Sequence, residues 1–275
     1  MIRRLCLNSP ALDLSNAIAR HSGDQTRVYK QLGDQKLLIS LYNPPCFSKN
    51  QKYPLLMLIH GGGWSSRRVF DDQTDWAGDY LGFLGRYFAD RGYICASVDY
   101  RLLKGDGGQP GYELMDLYDD CADATAYLKE NAEKLCIDVE RTAVLGESVG
   151  GHLAAALVTL PWREKGFFKT AILVNAICDM HDPRWKTRVP EVSAHPLLRG
   201  KSMEEKTAML SPTDHIDQTT CPTLLLHGTK DTVVFPFHAL KFHDLLNTCG
   251  QRAQLDFIED TNHAFVLAEY MQECR

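Results

Sequence analysis

The sequence predicts an α/β fold with a mostly parallel, eight-stranded sheet and helices on both faces. Three observations predict it. Short, continuous apolar runs recur along the chain, helical patterns separate them, and a glycine-bearing turn follows several of the runs. Continuous hydrophobicity is typical of parallel strands that are buried on both faces, whereas alternating hydrophobicity is typical of half-buried strands. The predicted sheet therefore lies inside the molecule, between two layers of helices.

The first two predicted strands form a β-hairpin. Residues 27–31 and 36–42 are separated by four residues, and Leu37, Ile39 and Leu41 of the second run alternate towards one face. Six parallel strands are predicted to follow, over residues 55–59, 93–98, 142–145, 170–174, 223–226 and 255–258.

Helices are predicted between these strands from apolar residues spaced three or four positions apart. Leu114, Leu117, Cys121 and Leu128 share one such stripe. Further helices are predicted around residues 81–88 and over residues 149–159, 236–248 and 263–271. Residues 175–221 contain four X-Pro pairs, which predict an insertion after the sixth strand that forms a partial cap over one end of the sheet. Because no repeat or linker divides the chain, residues 1–275 are expected to form a single domain.

Composition argues against nucleic-acid and membrane partners. The chain has 30 Lys and Arg against 35 Asp and Glu, a formal net charge of −5, and no run rich in Lys or Arg. It lacks the positive patch that phosphate backbones and anionic lipids attract, and its apolar runs are too short to span a bilayer. The N-terminus has no apolar stretch of signal-peptide length, and the nine cysteines include no Cys-x-x-Cys pair. A cytoplasmic protein with reduced thiols is therefore expected.

A Gly-x-Ser-x-Gly pattern occupies residues 146–150, between the strand at 142–145 and the helix that begins at Val149. A tight strand-to-helix turn pushes the serine above the sheet, and the two glycines leave room for the close approach of helix and strand. The alternative is a glycine-rich turn in which the serine only caps the helix. The pattern predicts Ser148 as a nucleophile.

Three glycines at residues 61–63 directly follow the strand at 55–59. Their unobstructed backbone N–H groups suit the binding of a developing oxyanion. A P-loop is a poor alternative because no Gly-Lys-Ser/Thr follows. Trp64 after this loop and Trp185 in the insertion are predicted to offer flat faces to a sugar or an aromatic alcohol, with core or rim packing as the alternative.

A serine nucleophile needs a base, and the base needs an acid that orients it. Asp231 follows the strand at 223–226 and His263 follows the strand at 255–258, so both are expected at the carboxyl edge of the sheet. The competing residues fall within a predicted helix or strand and are assigned packing or surface roles: His238, His243 and Asp256. No His or Cys group has metal-site spacing, so neither a metal nor a cofactor is expected.

Four segments in this order resemble those of the α/β-hydrolase superfamily: His-Gly-Gly-Gly-Trp (60–64), Gly-Glu-Ser-Val-Gly-Gly-His (146–152), His-Gly-Thr-Lys-Asp (227–231) and Asn-His-Ala-Phe (262–265). The resemblance extends from about Tyr29 to the C-terminus. Within the superfamily, the chain is similar to hormone-sensitive-lipase-like and BD-FAE-like (feruloyl and acetyl-xylan esterase-like) carboxylesterases. The resemblance implies an α/β-hydrolase fold, a Ser148, Asp231 and His263 triad, and an oxyanion hole made by the N–H groups of Gly62, Gly63 and Val149.

The predicted function is that of a serine carboxylic ester hydrolase for small-molecule esters with short acyl groups, including acetyl groups on carbohydrates. Two alternatives stay open. One is amide hydrolysis of the arylformamidase or prolyl-oligopeptidase-like kind. The other is a binding module on a hydrolase scaffold, and the presence of all three triad candidates counts against it. The sequence leaves the oligomeric state open.

Overall fold

A computed structural model describes residues 1–5, 23–66, 80–104, 111–161 and 165–263. Within these ranges nine strands form one sheet in the order β1-β9-β8-β7-β6-β4-β5-β3-β2. β2 is antiparallel to β3 and β3 to β5, while all other neighbours are parallel. The strands are β1 (Ile2–Leu5), β2 (Gln25–Leu32), β3 (Gln35–Tyr42), β4 (Tyr53–Ile59), β5 (Ile94–Val98), β6 (Ile137–Glu147), β7 (Thr170–Val174), β8 (Thr223–Gly228) and β9 (Ala253–Ile258).

The eight predicted strands are all present, but the described part of the sheet has a ninth strand, β1, so the predicted number is wrong. β1 lies at the sheet edge, where Ile2–Leu5 pairs in parallel with β9. Its two arginines break any apolar pattern, so the strand pattern alone does not predict a strand there. Arg3 is accommodated because its guanidinium forms an ion pair with the buried carboxylate of Asp256 on β9.

Seven α-helices occur in the described ranges, and they include the four predicted before residue 263. They are α1 (Tyr80–Ala89), α2 (Leu114–Glu130), α3 (Ala132–Leu135), α4 (Val149–Thr159), α5 (Pro183–Lys186), α6 (Met203–Leu210) and α7 (Phe237–Thr248). The helix predicted over 263–271 lies outside the described residues, except for His263. No helix in the described ranges combines the length and apolar character needed to cross a bilayer. The seven cysteines in these ranges are all free thiols.

Strand β4 shows why the sheet has two cores. Its odd-numbered residues Leu55, Met57 and Ile59 pack in one apolar cluster with residues of α2, α4 and α7. Its even-numbered residues Leu56 and Leu58 pack in a second cluster with residues of α1. Because successive side chains of a strand point to opposite faces, continuous hydrophobicity buries both faces at once.

The insertion between β7 and β8 consists of α5, α6 and three short 3₁₀ turns. Buried hydrogen bonds hold its two ends together. The Met180 N–H donates to the Ser211 hydroxyl at 2.8 Å, and the Thr213 N–H donates to the Cys178 carbonyl at 3.0 Å. The insertion is thus a set of short helices tied to one another.

Candidate active site

The sheet order brings the glycine loop and the serine turn together. β4 lies between β5 and β6, so the chain moves to one side of β4 and then returns to the other side. In open α/β sheets, the crevice at such a reversal is where ligands bind. The loop after β4 carries glycines 61–63, and the turn after β6 carries Ser148. Asp231 and His263 follow β8 and β9 at the same edge.

Ser148 sits on a strained turn. Its backbone angles are φ 56° and ψ −121°, a conformation that few residues other than glycine adopt. A Cβ atom at Gly146 would lie 2.1 Å from the Gly150 carbonyl oxygen, and one at Gly150 would lie 2.2 Å from the Ile59 carbonyl oxygen. Any side chain at either glycine would therefore push α4 away from the sheet and move Ser148.

The structure brings Ser148, His263 and Asp231 into one hydrogen-bonded chain. The distance from Ser148 Oγ to His263 Nε2 is 3.0 Å, and that from His263 Nδ1 to Asp231 Oδ2 is 2.7 Å. Ser148 is 8% and Asp231 2% exposed, while the His263 side chain is 20% exposed. These are the distances that a nucleophile, a base and an orienting acid require.

The carboxylate of Asp231 is fixed through both oxygens. Oδ1 accepts hydrogen bonds from the backbone N–H groups of Val233 and Val234, each at 2.9 Å. Burial alone would raise the pKa of Asp231, but hydrogen bonds from His227 and His263 hold that pKa well below its ordinary value. Asp231 therefore stays ionised and can orient the His263 ring.

Two asparagines that the sequence analysis did not single out hold the His263 loop. The buried Asn175 donates from Nδ2 to the His263 carbonyl at 2.5 Å and accepts from the Gly228 N–H at 3.3 Å. Asn262 Oδ1 accepts from the N–H groups of His263 at 2.8 Å and Thr232 at 3.2 Å. Together these contacts fix the end of β9 relative to the Asp231 loop. An asparagine directly after a buried strand, as Asn175 is after β7, was the available sequence signal.

The glycine loop lies beside Ser148. A Cβ at Gly61 would come within 3.3 Å of Ser148 Cβ, and Gly62 and Gly63 have φ values of 105° and 63°. The N–H groups of these last two glycines make no hydrogen bond within the part of the chain that the structure describes. The Val149 N–H is in the first turn of α4, where backbone donors have no partner inside the helix. The predicted oxyanion donors thus lie on the two segments that flank Ser148.

Tyr100 supports the glycine loop from below. Its hydroxyl donates to the His60 carbonyl at 2.7 Å, and the two rings stack with centroids 4.1 Å apart. The Leu103 N–H donates to the Trp64 carbonyl at 2.9 Å. The segment that follows β5 therefore holds both ends of the loop.

The expectation for Trp64 is wrong, because its ring is fully buried and presents no face to a ligand. It packs edge-on against Trp185 at 5.7 Å and against His152 at 5.4 Å between ring centroids. Its role is to join the glycine loop to the insertion. Trp185 is partly buried, and substrate contact by this residue stays a prediction.

Glu147, directly before Ser148, is a buried carboxyl group that the sequence analysis did not single out. Its Oε2 atom has no hydrogen-bond partner among the described residues. Burial raises the pKa of Glu147 to about 7, while His263 lowers it and Asp231 adds to the increase. A carboxyl group that keeps its proton up to about pH 7 therefore lies close to the candidate triad.

Buried titratable residues outside the candidate triad have structural partners. His152 is fully buried and hydrogen-bonds the Ile177 carbonyl at 2.8 Å, and burial lowers its pKa to about 3. His238 and Asp182 contact each other at 3.0 Å, and Asp256 pairs with Arg3. In the described ranges, no three His, Cys, Asp or Glu side chains are grouped as metal ligands.

Comparison with known proteins identifies the family of the chain and several relatives. Residues 39–246 match the BD-FAE family. The ethyl acetate hydrolase of Pseudomonas putida is 28% identical over 248 residues, which cover 84% of this chain and 71% of that protein. The Mycobacterium tuberculosis protein named "probable carboxylic ester hydrolase LipM" is 27% identical over 90% of this chain, which spans 57% of the length of LipM.

Solved structures show the same fold. Butyrate-bound esterase Est2 of Thermogutta terrifontis is 25% identical to this chain, with a TM-score of 0.72 over 88% of this chain and 85% of Est2. Native Est2 gives the same TM-score at 24% identity. The family match spans most of the chain, and the sheet, strained serine turn and strand-end loops are those of an α/β-hydrolase. The chain therefore belongs to the BD-FAE family and has the α/β-hydrolase fold.

Proposed function

We propose that the protein is a serine carboxylic ester hydrolase that acts on small esters with short acyl groups. The observation that carries the proposal is the hydrogen-bonded chain from Asp231 through His263 to Ser148, beside the glycine loop. Two relatives support short acyl groups: one is named for ethyl acetate, and the other was solved with butyrate. Acetyl esters of carbohydrates are the natural substrate class that we propose.

In the first half of the reaction, Ser148 Oγ attacks the ester carbonyl carbon while His263 Nε2 takes the hydroxyl proton. The carbonyl oxygen becomes an oxyanion that the N–H groups of Gly62, Gly63 and Val149 stabilise. The tetrahedral intermediate then collapses as the bond to the alcohol oxygen breaks and His263 gives its proton to the alcohol. Asp231 stabilises the transient imidazolium without taking the proton itself.

In the second half, a water molecule gives its proton to His263 as its oxygen attacks the acyl-serine. The same N–H groups hold the second oxyanion. Collapse releases the carboxylic acid and returns the proton from His263 to Ser148. The fixed carboxylate of Asp231 keeps the ring in one orientation through both halves.

Two measurements on Ser148→Ala test this function. We expect kcat on p-nitrophenyl acetate to fall by a factor on the order of 10⁴ to 10⁶, because the covalent route is lost while packing hardly changes. Labelling by a fluorophosphonate should also disappear. Ser193→Ala, at a buried serine of the insertion, is the matched control and should keep both activity and labelling.

The assignment is wrong if Ser148→Ala keeps a tenth of the wild-type turnover or is still labelled. Amide substrates separate the remaining alternatives. Higher kcat/KM for formylkynurenine or a proline amide than for aryl acetates would indicate an amide hydrolase. Binding of esters with neither turnover nor labelling of the wild type would indicate a binding module.

A further inference from the structure

A second histidine, His227, lies against the candidate acid. His227 is the fifth residue of β8 and is fully buried. Its Nε2 atom is 2.8 Å from the Val234 carbonyl oxygen and 3.3 Å from Asp231 Oδ2. Both neighbours are acceptors, so Nε2 must carry the ring proton and direct it at these two oxygens. Nδ1 has no hydrogen-bond partner among the described residues, and the neutral ring with its proton on Nε2 leaves no donor unsatisfied.

These contacts close a short loop around the carboxylate. Asp231 Oδ1 accepts hydrogen bonds from the N–H groups of Val233 and Val234, and the Val234 carbonyl accepts a hydrogen bond from His227 Nε2. Oδ2 is shared between His263 Nδ1 at 2.7 Å and His227 Nε2 at 3.3 Å. Donors to a carboxylate oxygen stabilise its charged form and weaken its attraction for a neighbouring proton. The second donor therefore bears on the same oxygen that orients the proposed base.

We propose that His227 is a positioning residue for the esterase reaction, which clamps the turn 231–234 and limits how strongly Asp231 Oδ2 holds a protonated His263. The proposal rests on the proposed function. Two further titratable groups bear on this cluster and enter its pH response: Glu147, which interacts with Asp231 and His263, and His238, which interacts with His227.

The test compares three substitutions that differ in where they place a donor. His227→Gln puts an amide N–H near the position of Nε2, whereas the shorter Asn cannot reach it and Leu supplies no donor. For the Leu and Asn variants we expect kcat to fall by a factor on the order of 10 to 100 with little change in KM, because positioning acts on the transition state. The Gln variant should recover at least about a third of the wild-type kcat, since it restores the donor.

The pH profile separates this role from a packing role. Without the second donor, Asp231 stabilises the imidazolium more strongly, so the acid limb of the kcat/KM profile should move up by roughly half a unit to one unit. His243→Gln, at a buried histidine on α7 that contacts the Met1 amino group, is the control and should leave the profile unchanged. If the Leu variant fails to fold, the comparison of Gln with Asn decides.

Two results would overturn the proposal: a Gln variant as impaired as the Asn variant, or Leu and Asn variants with the wild-type kcat and pH profile. Asp231→Asn and His263→Ala, measured beside them, keep this failure apart from failure of the proposed function. If both of these variants keep the wild-type rate, the triad assignment is wrong. If both lose activity while the His227 variants are unaffected, only the role of His227 is wrong.

Discussion

Ser148 has a backbone conformation, and Glu147 a buried environment, that destabilise the folded state. Ser148 has a positive φ of 56°, and Glu147 beside it is a buried carboxyl group with an oxygen that lacks a partner among the described residues. Strained conformations and unpaired buried groups each cost on the order of 1–3 kcal/mol, so they persist only where the surroundings enforce them. Both residues lie at the end of β6, whose preceding residues are buried between β4 and β7.

Glu147 leads to a prediction about stability and pH. Its pKa in the folded protein is about 7 and its ordinary value is 4.5, so the folded state binds this proton more tightly than the unfolded state does. Its contribution to the free energy of unfolding is therefore complete below pH 4.5 and is lost as the pH rises through about 7. Between about pH 5 and about pH 8, wild type should lose on the order of 3 kcal/mol of unfolding free energy relative to Glu147→Gln.

Urea denaturation of both proteins across this pH range measures the difference. The amide of Gln cannot ionise, so any fixed cost of burying it shifts the curve without changing its slope. Glu130→Gln, at an exposed position at the end of α2, should run parallel to wild type. Parallel curves for Glu147→Gln and wild type would show that Glu147 does not keep its proton in the folded state.

Gly63 gives a kinetic prediction. With φ at 63° and nothing within 4 Å of an added Cβ, Gly63→Ala introduces backbone strain without a steric clash. Relief of that strain rotates the peptide N–H, so we expect kcat to fall by about 10²-fold while KM changes little. Gly33→Ala in the β2–β3 hairpin is a matched control, because φ there is 58° and the added Cβ is equally free.

Steady-state kinetics and thermal melts on the two variants separate strain from chemistry. Both should lose similar stability, of roughly 1 kcal/mol, because both force alanine into the left-handed region. Only Gly63→Ala should lose turnover. A rise in KM alone would assign the loop to substrate binding instead of oxyanion stabilisation.

The sequence could predict those site residues whose position follows from the strand pattern alone. Ser148, Asp231 and His263 each follow an apolar run, and the carboxyl ends of parallel strands meet at one edge. His227 and Asn175 also directly follow apolar runs, but their roles could not be found this way, because their partners are loops that approach only in the folded chain. The prediction that Trp64 faces a ligand is wrong for a similar reason, since its burial depends on packing against Trp185 of the insertion.

At the scale of elements, the buried His238 joins α7 to the insertion. His238 on α7 accepts the N–H groups of Asp179 at 3.1 Å and Cys178 at 3.3 Å through Nδ1. Its Nε2 therefore carries the proton and donates to Asp182 Oδ2 at 3.0 Å. The other oxygen of Asp182 accepts from the Arg184 N–H and begins α5, the helix that carries Trp185. This contact fixes the start of α5 against α7.

The pair predicts a loss of stability in acid. Burial lowers the pKa of His238 to about 4 from an ordinary 6.5, although Asp182 opposes the shift. The neutral His238 ring contributes its full share to the free energy of unfolding above pH 6.5. This contribution is lost as the pH falls towards 4. His238→Asn keeps an acceptor for the two N–H groups and cannot be protonated, so wild type should lose on the order of 3 kcal/mol relative to this variant over the same range.

Chemical denaturation at a series of pH values checks this result. At neutral pH the Asn variant should be the less stable protein, because its shorter side chain cannot reach Asp182. The two stabilities should converge as the pH falls. A constant difference at every pH would mean that His238 is protonated without cost in the folded state, and the proposed pair would then not limit acid stability.

The strands were more predictable than the loops and the sheet edge. Six continuous apolar runs became strands because burial on both faces requires that pattern, and the two runs of the predicted hairpin became β2 and β3. β1 could not be predicted from its own four residues, because the ion pair that accommodates Arg3 is made with Asp256 on β9. The helices of the insertion could not be predicted from the sequence, because helices as short as the four residues of α5 are too short to show a helical spacing of apolar residues.

For the whole molecule, the arrangement of the insertion bears on substrate size. A lipase lid must open, yet the ends of this insertion are held by buried hydrogen bonds, and α5 is held by the His238 pair. Its polar side chains carry charges of both signs, as in the contact of Lys186 with Glu204 at 2.9 Å. We therefore expect kcat/KM on p-nitrophenyl esters to peak between acetate and butyrate and to fall steeply by octanoate.

Esterase assays over the acyl series, below and above the solubility limit of each ester, test this expectation. Rates should follow the dissolved substrate alone, with no increase when an oil–water interface forms. A maximum at decanoate or longer would contradict the short-acyl proposal. Activation at the interface would show that the insertion opens.

The edge strand β1 also determines which backbone groups the sheet exposes to other chains. Without it, β9 would expose a row of unpaired backbone groups on a flat parallel edge, which is a template for pairing with another molecule. Asp256 would at the same time lose the guanidinium that pairs with it. The four residues of β1 thus complete the described sheet and cover the edge at which β9 would pair with another chain. Loss of β1 should therefore appear first as self-association, before any change at the distant serine.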